Sequence, residues 1–521
     1  MSTREMRLNC CPGTVGMLMR KISAYGLGLL LILPWLSVQA ETRYVSPSGG
    51  HLAPFTNWVD AATNIQEAVN ECQSGDSVVV TDGVYVLTST LNITNRVTVR
   101  SENGRDAVRI DGNYPVLTSD AVLLKFGVVD GLTISNAGRH GVKSEYGEVY
   151  NCRVTHSQSA GVDSSTTPRI VTNSTLIVTN TVVRKSGGYG INTCAVDTKI
   201  FDCVIDASAA AGVLLMQSED GGAGAKQVPR VSNFIIRAST ISSNLNSGLA
   251  FALYWYNSAY PDIPIVVEDC LIDGNSGSRG GGISDAWGTS GDASSGVQIR
   301  QCVIRNNYSS GLGGGVYLHG SRSPALSRCT LADNRASQGG GVYLGGGTLD
   351  NCTVIRNSAG YGGGVQGGTL RNCSVLNNSA TVLAGGAYAS YVYNTIIYYN
   401  TAPNSSNHTS CSFQSSCTAP NPGGTGNIVM EPGVAGFDNP NLVASSPCID
   451  SGAFEWAAGD VDVDGEIRIW GNGVDIGCDE YHASSITGAL SVSIHTSADR
   501  AVAGATLAYE AWIQGKPLGY R

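Results

Sequence analysis

The chain has 521 residues, of which 66 are glycine, 14% are charged and 7% are aromatic, with 32 basic against 41 acidic side chains and a net charge of −9. This balance, with no basic block anywhere, excludes a protein that neutralises the phosphates of a nucleic acid. Length alone would suggest three domains, but internal repetition in the glycine-rich part points to one long body that grows by adding units.

At the N-terminus, Arg20 and Lys21 precede the apolar run from Ile22 to Val38, which ends in Val38-Gln39-Ala40 before Glu41. A basic segment, an apolar segment and a small-residue cleavage site read as a signal peptide over residues 1–40, and hence as a secreted or cell-surface protein. The run is short and holds Pro34 and two glycines, so no transmembrane span is expected after cleavage. Removing Arg4, Glu5, Arg7, Arg20 and Lys21 leaves 28 basic and 40 acidic residues, a net charge of −12. Thirteen cysteines remain, an odd number for an exported chain.

Residues 41–115 read as an N-terminal cap with the first coils. Arg43 to Val45 forms an opening strand. Thr63-Asn64-Ile65-Gln66 is a capping-box pattern before Ile65, Val69 and Cys72, which share one helical face. A short helix here would cover strand edges that would otherwise recruit other chains. The coils proper begin at Ser77 to Val86, with Asp82-Gly83 as a turn.

Residues 116–400 carry the repeat. An asparagine follows each cysteine at an offset of five: Cys270 and Asn275, Cys302 and Asn307, Cys329 and Asn334, Cys352 and Asn357, Cys373 and Asn378. Thr395 and Asn400 keep the offset. Successive starts at 302, 329, 352, 373 and 395 lie 27, 23, 21 and 22 residues apart, the period of a stacked solenoid. The apolar segments are short and the intervening runs too glycine-rich for helix pairs, so each repeat is one coil of short strands. Stacking about 4.8 Å apart puts like over like. The cysteines then form an inward column of small hydrophobes, and the asparagines a stack of amides at a bend. The fold expected is all-β, a right-handed parallel β-helix. Followed backwards, the offset pairs Gly131 with Asn136, Thr175 with Asn180 and Ser239 with Asn244, while Cys152 and Cys203 face Ser157 and Ser208.

Two insertions concentrate aromatics: Tyr254, Trp255 and Tyr256 in one, and Trp287 in the other, between Ser284 and Ser295. Such rings either pack against sugar or cover the underside of a loop. The closest gathering of charges is Asp197, Lys199, Asp202 and Asp206, either a proton-transfer cluster or the solvated outer positions of one coil. Lysine is absent between Lys226 and Lys516. A lysine base would therefore come from Lys125, Lys143, Lys185, Lys199 or Lys226. No serine-hydrolase, zinc-protease or nucleotide-binding fingerprint stands in a convincing context.

Residues 401–482 should close the solenoid. They contain Ser446-Pro447-Cys448-Ile449-Asp450-Ser451-Gly452 and Val474-Asp475-Ile476-Gly477-Cys478-Asp479-Glu480-Tyr481. The column cysteines are expected as buried thiols, because a coil spacing exceeds a disulfide length of about 2.05 Å. Cys411 with Cys417, and Cys448 with Cys478, are the expected bridges. Asp460, Asp462 and Asp464, in a DVDVDG run, offer oxygens at alternate positions. They suit either a Ca²⁺ site or a carboxylate-rich turn, and Gly471 rules out the EF-hand form.

The cysteine, asparagine and GGG[VI] repeats resemble those of pectate-lyase-like β-helix proteins. They are also similar, more loosely, to the repeats of polymorphic outer-membrane proteins. The SPCIDSG and VDIGCDEY pair resembles the choice-of-anchor Q region of exported bacterial proteins, with Cys478 where that pattern usually carries alanine. In residues 483–521, the stretch from Gly488 alternates apolar and polar residues and resembles the first strands of an immunoglobulin-like, polycystic-kidney-disease-type repeat. The polygalacturonase-type motifs are missing, which counts against that hydrolase. Two functions are therefore expected. One is a β-helix that binds extracellular carbohydrate or serves as an adhesive or structural rod. The other is a polysaccharide lyase acting on an acidic glycan.

Overall fold

A computed structural model describes residues 40–165, 174–217, 233–253, 264–285, 296–319 and 324–482, with the strands Ser491–Thr496 and Tyr509–Gln514. The proposed signal peptide and the aromatics Tyr254, Trp255, Tyr256 and Trp287 lie outside the described residues.

One coil shows how the repeat folds. Val297–Arg300 runs along what we term the back ladder. Gln301 turns the chain with φ of 51°, and Cys302 points inward. Val303–Arg305 follows on the side ladder, with only Ile304 buried. Asn306 makes a second turn at φ of 54° and Asn307 is buried. After the strand Tyr308–Leu312 and the glycines Gly313 to Gly315, Val316–Leu318 forms the front ladder. Ala325–Ser327 then resumes the back ladder one coil on, paired in parallel with Gln298, Ile299 and Arg300.

Repetition of this path gives a 14-stranded side ladder and a 26-stranded sheet in which the front and back ladders share the long strands Val122–Asp130 and Val142–Tyr150. The structure is thus a right-handed parallel β-helix. Like stacks on like inside it: Ile272, Ile304, Leu331, Val354 and Val375 follow one another in register, all fully buried.

The two expected columns are present. Cys270, Cys302, Cys329, Cys352 and Cys373 are buried free thiols, each set against a back-ladder carbonyl of the preceding coil, as in Cys329 Sγ to Ile299 O at 3.5 Å. Burial pushes the column thiols of Cys152 and Cys203 up to about 12. Elsewhere a hydroxyl takes the thiol's place, so that Thr395 Oγ1 accepts the Cys373 amide at 3.1 Å.

From Asn244 through Asn275, Asn307, Asn334, Asn357, Asn378 and Asn400, each Nδ2 donates to the next Oδ1 at 2.9–3.1 Å, and Asn407 ends the chain of bonds. The glycines belong to the same contact. A Cβ on Gly341 would lie 3.1 Å from the Asn357 side chain and 2.7 Å from Gly364 O, so the last glycine of each triplet makes room for the amide of the following coil.

Three register readings needed this geometry. Ser239 with Asn244 is correct. The column residues nearer the N-terminus are Leu132 with Ala137 and Thr181 with Ser186, because the side strands are Thr133–Ser135 and Val182–Arg184. Asn136 and Asn180 are instead left-handed corner residues, with φ of 59° and 45°.

At the N-terminal end, helix α1 (Ile65–Asn70) is capped by the Asn64 side chain, which accepts the Gln66 amide at 2.8 Å. It buries Ile65, Ala68 and Val69, and the Gln66 side chain exchanges two bonds with the backbone of Asn92 on the first front strand. The coils end later than residue 400, since Ser412–Gln414 and Cys417–Thr418 still pair with the preceding coil.

The C-terminal segment packs along the flank of the helix. Leu442, Cys448 and Ile476 cluster with Ala332, Ile355, Leu376, Ile396 and Cys417, which belong to the side ladder's outward columns. The corner asparagines Asn351, Asn372 and Asn394 donate to Ala458, Asp475 and Ala453 carbonyls, fixing the segment across three coils. Beyond it, Ser491–Thr496 and Tyr509–Gln514 pair antiparallel.

The expected bridges are not formed: Cys411, Cys417, Cys448 and Cys478 are free thiols. Cys411 packs against the main core, Cys417 sits with the flank cluster, and Cys478 meets the hydroxyls of Thr353 and Ser374.

Candidate functional site

Outward positions of the front ladder form one continuous column. In register it reads Lys143, Asp163, Asn192, then Leu214, Ala250 and Ser284, then Tyr317, Tyr343, Gln366 and Tyr388. Charged, apolar and aromatic side chains thus follow one another along one face, on which Asp163, Asn192, Leu214, Ala250, Ser284 and Tyr317 are buried and Tyr343, Gln366 and Tyr388 are partly exposed.

The charged end is tightly knit. Lys143 Nζ contacts Asp163 Oδ2 and the Ser165 carbonyl, while Asp163 Oδ1 accepts Ser165 Oγ and Asn192 Nδ2, each at 2.7 Å. His140 Nε2 stands 3.8 Å from Asp163 Oδ2, and burial pushes its imidazole below the ordinary value against the pull of Asp163. The Asp163 side chain is fully buried, so both its oxygens are satisfied inside the cluster.

At the aromatic end, the Tyr317 and Tyr343 rings lie 5.5 Å apart, His319 lies nearly parallel to Tyr317 at 6.2 Å, and Arg279 Cζ stands 5.8 Å from the Tyr317 ring centroid. Asp285, one residue past Ser284, accepts the His319 amide through Oδ2 at 2.6 Å. Among the described residues its buried Oδ1 has no partner. The residue is only 7% exposed, and burial raises its carboxyl to about 6. A carboxyl that changes charge near neutral pH is thereby placed beside a ring platform and a guanidinium.

The charges singled out in the sequence do not converge. Lys199 and Asp197 share a back strand and pair with one another at 2.9 Å. Asp202 is a left-handed corner residue, whereas Asp206 lies on the side ladder and binds Arg184 Nε at 2.7 and 3.0 Å. These are outer positions with coil-to-coil or in-strand ion pairs, and pairs of this exposure contribute little.

The DVDVDG run is a carboxylate-capped turn. Asp462 Oδ1 accepts the amides of Asp464 and Glu466, and its Oδ2 accepts that of Glu480. Asp460 contributes its carbonyl to the Arg468 amide. Among the described residues no group of three histidine, cysteine or acidic side chains is arranged to hold a metal ion, and of the two readings open for Asp460, Asp462 and Asp464 the hydrogen bonds are those of a carboxylate-rich turn.

A family model described as a right-handed beta helix region matches residues 287–441. Among solved structures, a pectate lyase, Pel9A, is 14% identical with a TM-score of 0.34, covering 86% of this chain and 98% of its own. The catalytic domain of a GH87 alpha-1,3-glucanase is 10% identical with a TM-score of 0.35, covering 72% and 68%. A PL6-family polysaccharide lyase from Pseudopedobacter saltans is 10% identical with a TM-score of 0.31, covering 80% and 98%. These likenesses concern the fold. No curated protein matches the chain. Among the described residues no helix is long and apolar enough to cross a membrane.

Proposed function

We propose that this is a secreted or cell-surface protein whose front ladder binds an extracellular polysaccharide lengthwise, so that the β-helix acts as an adhesive or structural rod. The observation that carries the reading is the Tyr317–Tyr343 platform with Arg279 and Asp285 at its edge. Aromatic faces take up the C–H surface of a sugar ring, while a guanidinium and a carboxyl select its polar substituents. The rung spacing of about 4.8 Å is close to the length of one sugar unit in an extended chain, so the partly exposed Tyr343, Gln366 and Tyr388 of successive coils meet successive sugars.

A second reading, a lyase acting on an acidic glycan, is favoured by Asp285 alone, because a group that titrates near neutrality suits proton transfer. Such a step would remove the proton alpha to a uronate carboxyl and expel the leaving sugar oxygen, giving an unsaturated product. The purified chain, incubated with a panel of neutral and uronic-acid polysaccharides with and without Ca²⁺, separates the two. Binding with no rise in ultraviolet absorbance supports the rod; absorbance from unsaturated ends supports the lyase; neither signal contradicts both.

A further inference from the structure

Cys417 does not belong to the inward thiol column, which passes through Ser416: Ser416 Oγ accepts the Thr395 amide, as Thr395 Oγ1 accepts that of Cys373. Cys417 is paired in register with Ile396 on the outward side, facing the C-terminal segment. Cys448 comes from that segment. Its carbonyl accepts the Ile476 amide, and a Cβ on the next residue, Gly477, would press against Ile396. Both thiols therefore belong to one buried cluster at the seam between the solenoid and the segment on its flank, and both are fully buried. Cys417 Sγ donates to the Met430 carbonyl at 3.3 Å, and the neighbouring Cys417 thiol, together with burial, raises the Cys448 thiol.

We propose that Cys417 and Cys448 form a disulfide that locks the C-terminal segment onto the last side-ladder strand. This pairing differs from the two expected from the sequence, Cys411 with Cys417 and Cys448 with Cys478. In the balanced step, one thiol, as its thiolate, attacks an oxidised disulfide carrier and forms a mixed disulfide. The second thiolate displaces the carrier, which leaves as a dithiol carrying the two hydrogens and two electrons. Because both sulfurs are buried in the docked state, the bond forms while the segment is still closing. Other cysteines remain thiols: the inward column is held at the coil spacing by its strands, and Cys478 is engaged by Ser374 and Thr353.

The test is a disulfide map of the full chain, folded in the presence of glutathione disulfide and alkylated before cleavage. Cyanogen bromide at Met430 and trypsin at Arg371, Arg468 and Arg500 give fragment 372–430 with Cys373, Cys411 and Cys417, fragment 431–468 with Cys448 alone, and fragment 469–500 with Cys478 alone. The expected result is 431–468 joined to 372–430 through Cys417. That link should be lost in Cys417→Ser and kept in Cys411→Ser. In addition, thermal unfolding should shift downward on reduction in the parent and not in Cys417→Ser. A link from 431–468 to 469–500, or alkylated Cys448 in the oxidised chain, overturns the proposal, and this readout on the parent chain needs no variant to fold.

Discussion

Asn307 Nδ2 donates to Asn334 Oδ1 at 3.0 Å, and the same oxygen accepts the Asn307 amide, also at 3.0 Å. Asn334 in turn donates to Asn357 Oδ1 and to the Ile304 carbonyl. Each amide thus closes the bend of its own coil and fixes the bend of its neighbours. Asn334→Ala leaves several buried groups unpaired at once and should cost about 3 kcal/mol, read as a lower urea midpoint. At the other end of the ladder, Ser208 is buried with a hydroxyl that has no partner among the described residues, and its amide already donates to Asn244 Oδ1. Gly190 leaves the space beside Ser208 that Gly212 leaves beside Asn244. Ser208→Asn should therefore extend the ladder and raise stability by about 1 kcal/mol.

Asp285 gives the protein a pH dependence of defined sign. Its folded carboxyl titrates near 6, above the ordinary value of 3.8, so between these values the folded state binds more protons than the unfolded one. The Asp285 contribution is fully present below about pH 4 and falls by about 2–3 kcal/mol as pH rises through about 6. Asp285→Asn should remove the part of the slope centred near pH 6 and leave the part due to Asp479 and Glu480, which burial raises to about 8, and melting curves from pH 4 to pH 8, in steps of about one unit, will show it.

Lys143 and Asp163 form a buried pair on the front ladder. Lys143→Met strands the Asp163 charge and should destabilise the chain by about 3–5 kcal/mol, whereas Lys143→Met combined with Asp163→Asn should recover part of the loss. A denaturation cycle over the four chains measures the coupling.

Tyr343 is the partly exposed half of the ring platform. Tyr343→Ala should weaken binding of whichever polysaccharide the panel selects by about tenfold, equivalent to about 1.4 kcal/mol, and leave the melting temperature nearly unchanged. Affinity electrophoresis against that glycan measures the first effect.

Much of the fold was legible because the central coils use one residue type per structural position. Cys302, Cys329, Cys352 and Cys373 fill one column, and Asn307 through Asn400 fill another. The first coils hid their register because Leu132, Ala137, Thr181 and Ser186 serve the same positions with residues that do not stand out. The front-ladder site was illegible for a different reason. Lys143, Asp163 and Asn192 lie 20 and 29 residues apart, and only the lengths of the intervening coils bring them into register. Asp197, Lys199, Asp202 and Asp206 are neighbours in sequence, and for that reason a solenoid sends them to different faces. Asp285 is a single carboxyl whose meaning comes from burial, which composition does not reveal. Cluster membership of the cysteines was hidden in the same way, since Cys411 packs on the main core while Cys417 shares a cluster with Cys448 from a segment that folds back along the flank.

Hydrogen–deuterium exchange of the whole chain, with and without saturating polysaccharide, tests most directly whether the front ladder is the binding face. The account predicts new protection at Val316–Leu318 and Val342–Leu344 and around Asp285, with the side-ladder strands Thr330–Ala332 and Thr353–Ile355 unchanged. Protection confined to the side or back ladder, with the front ladder unchanged, would contradict it.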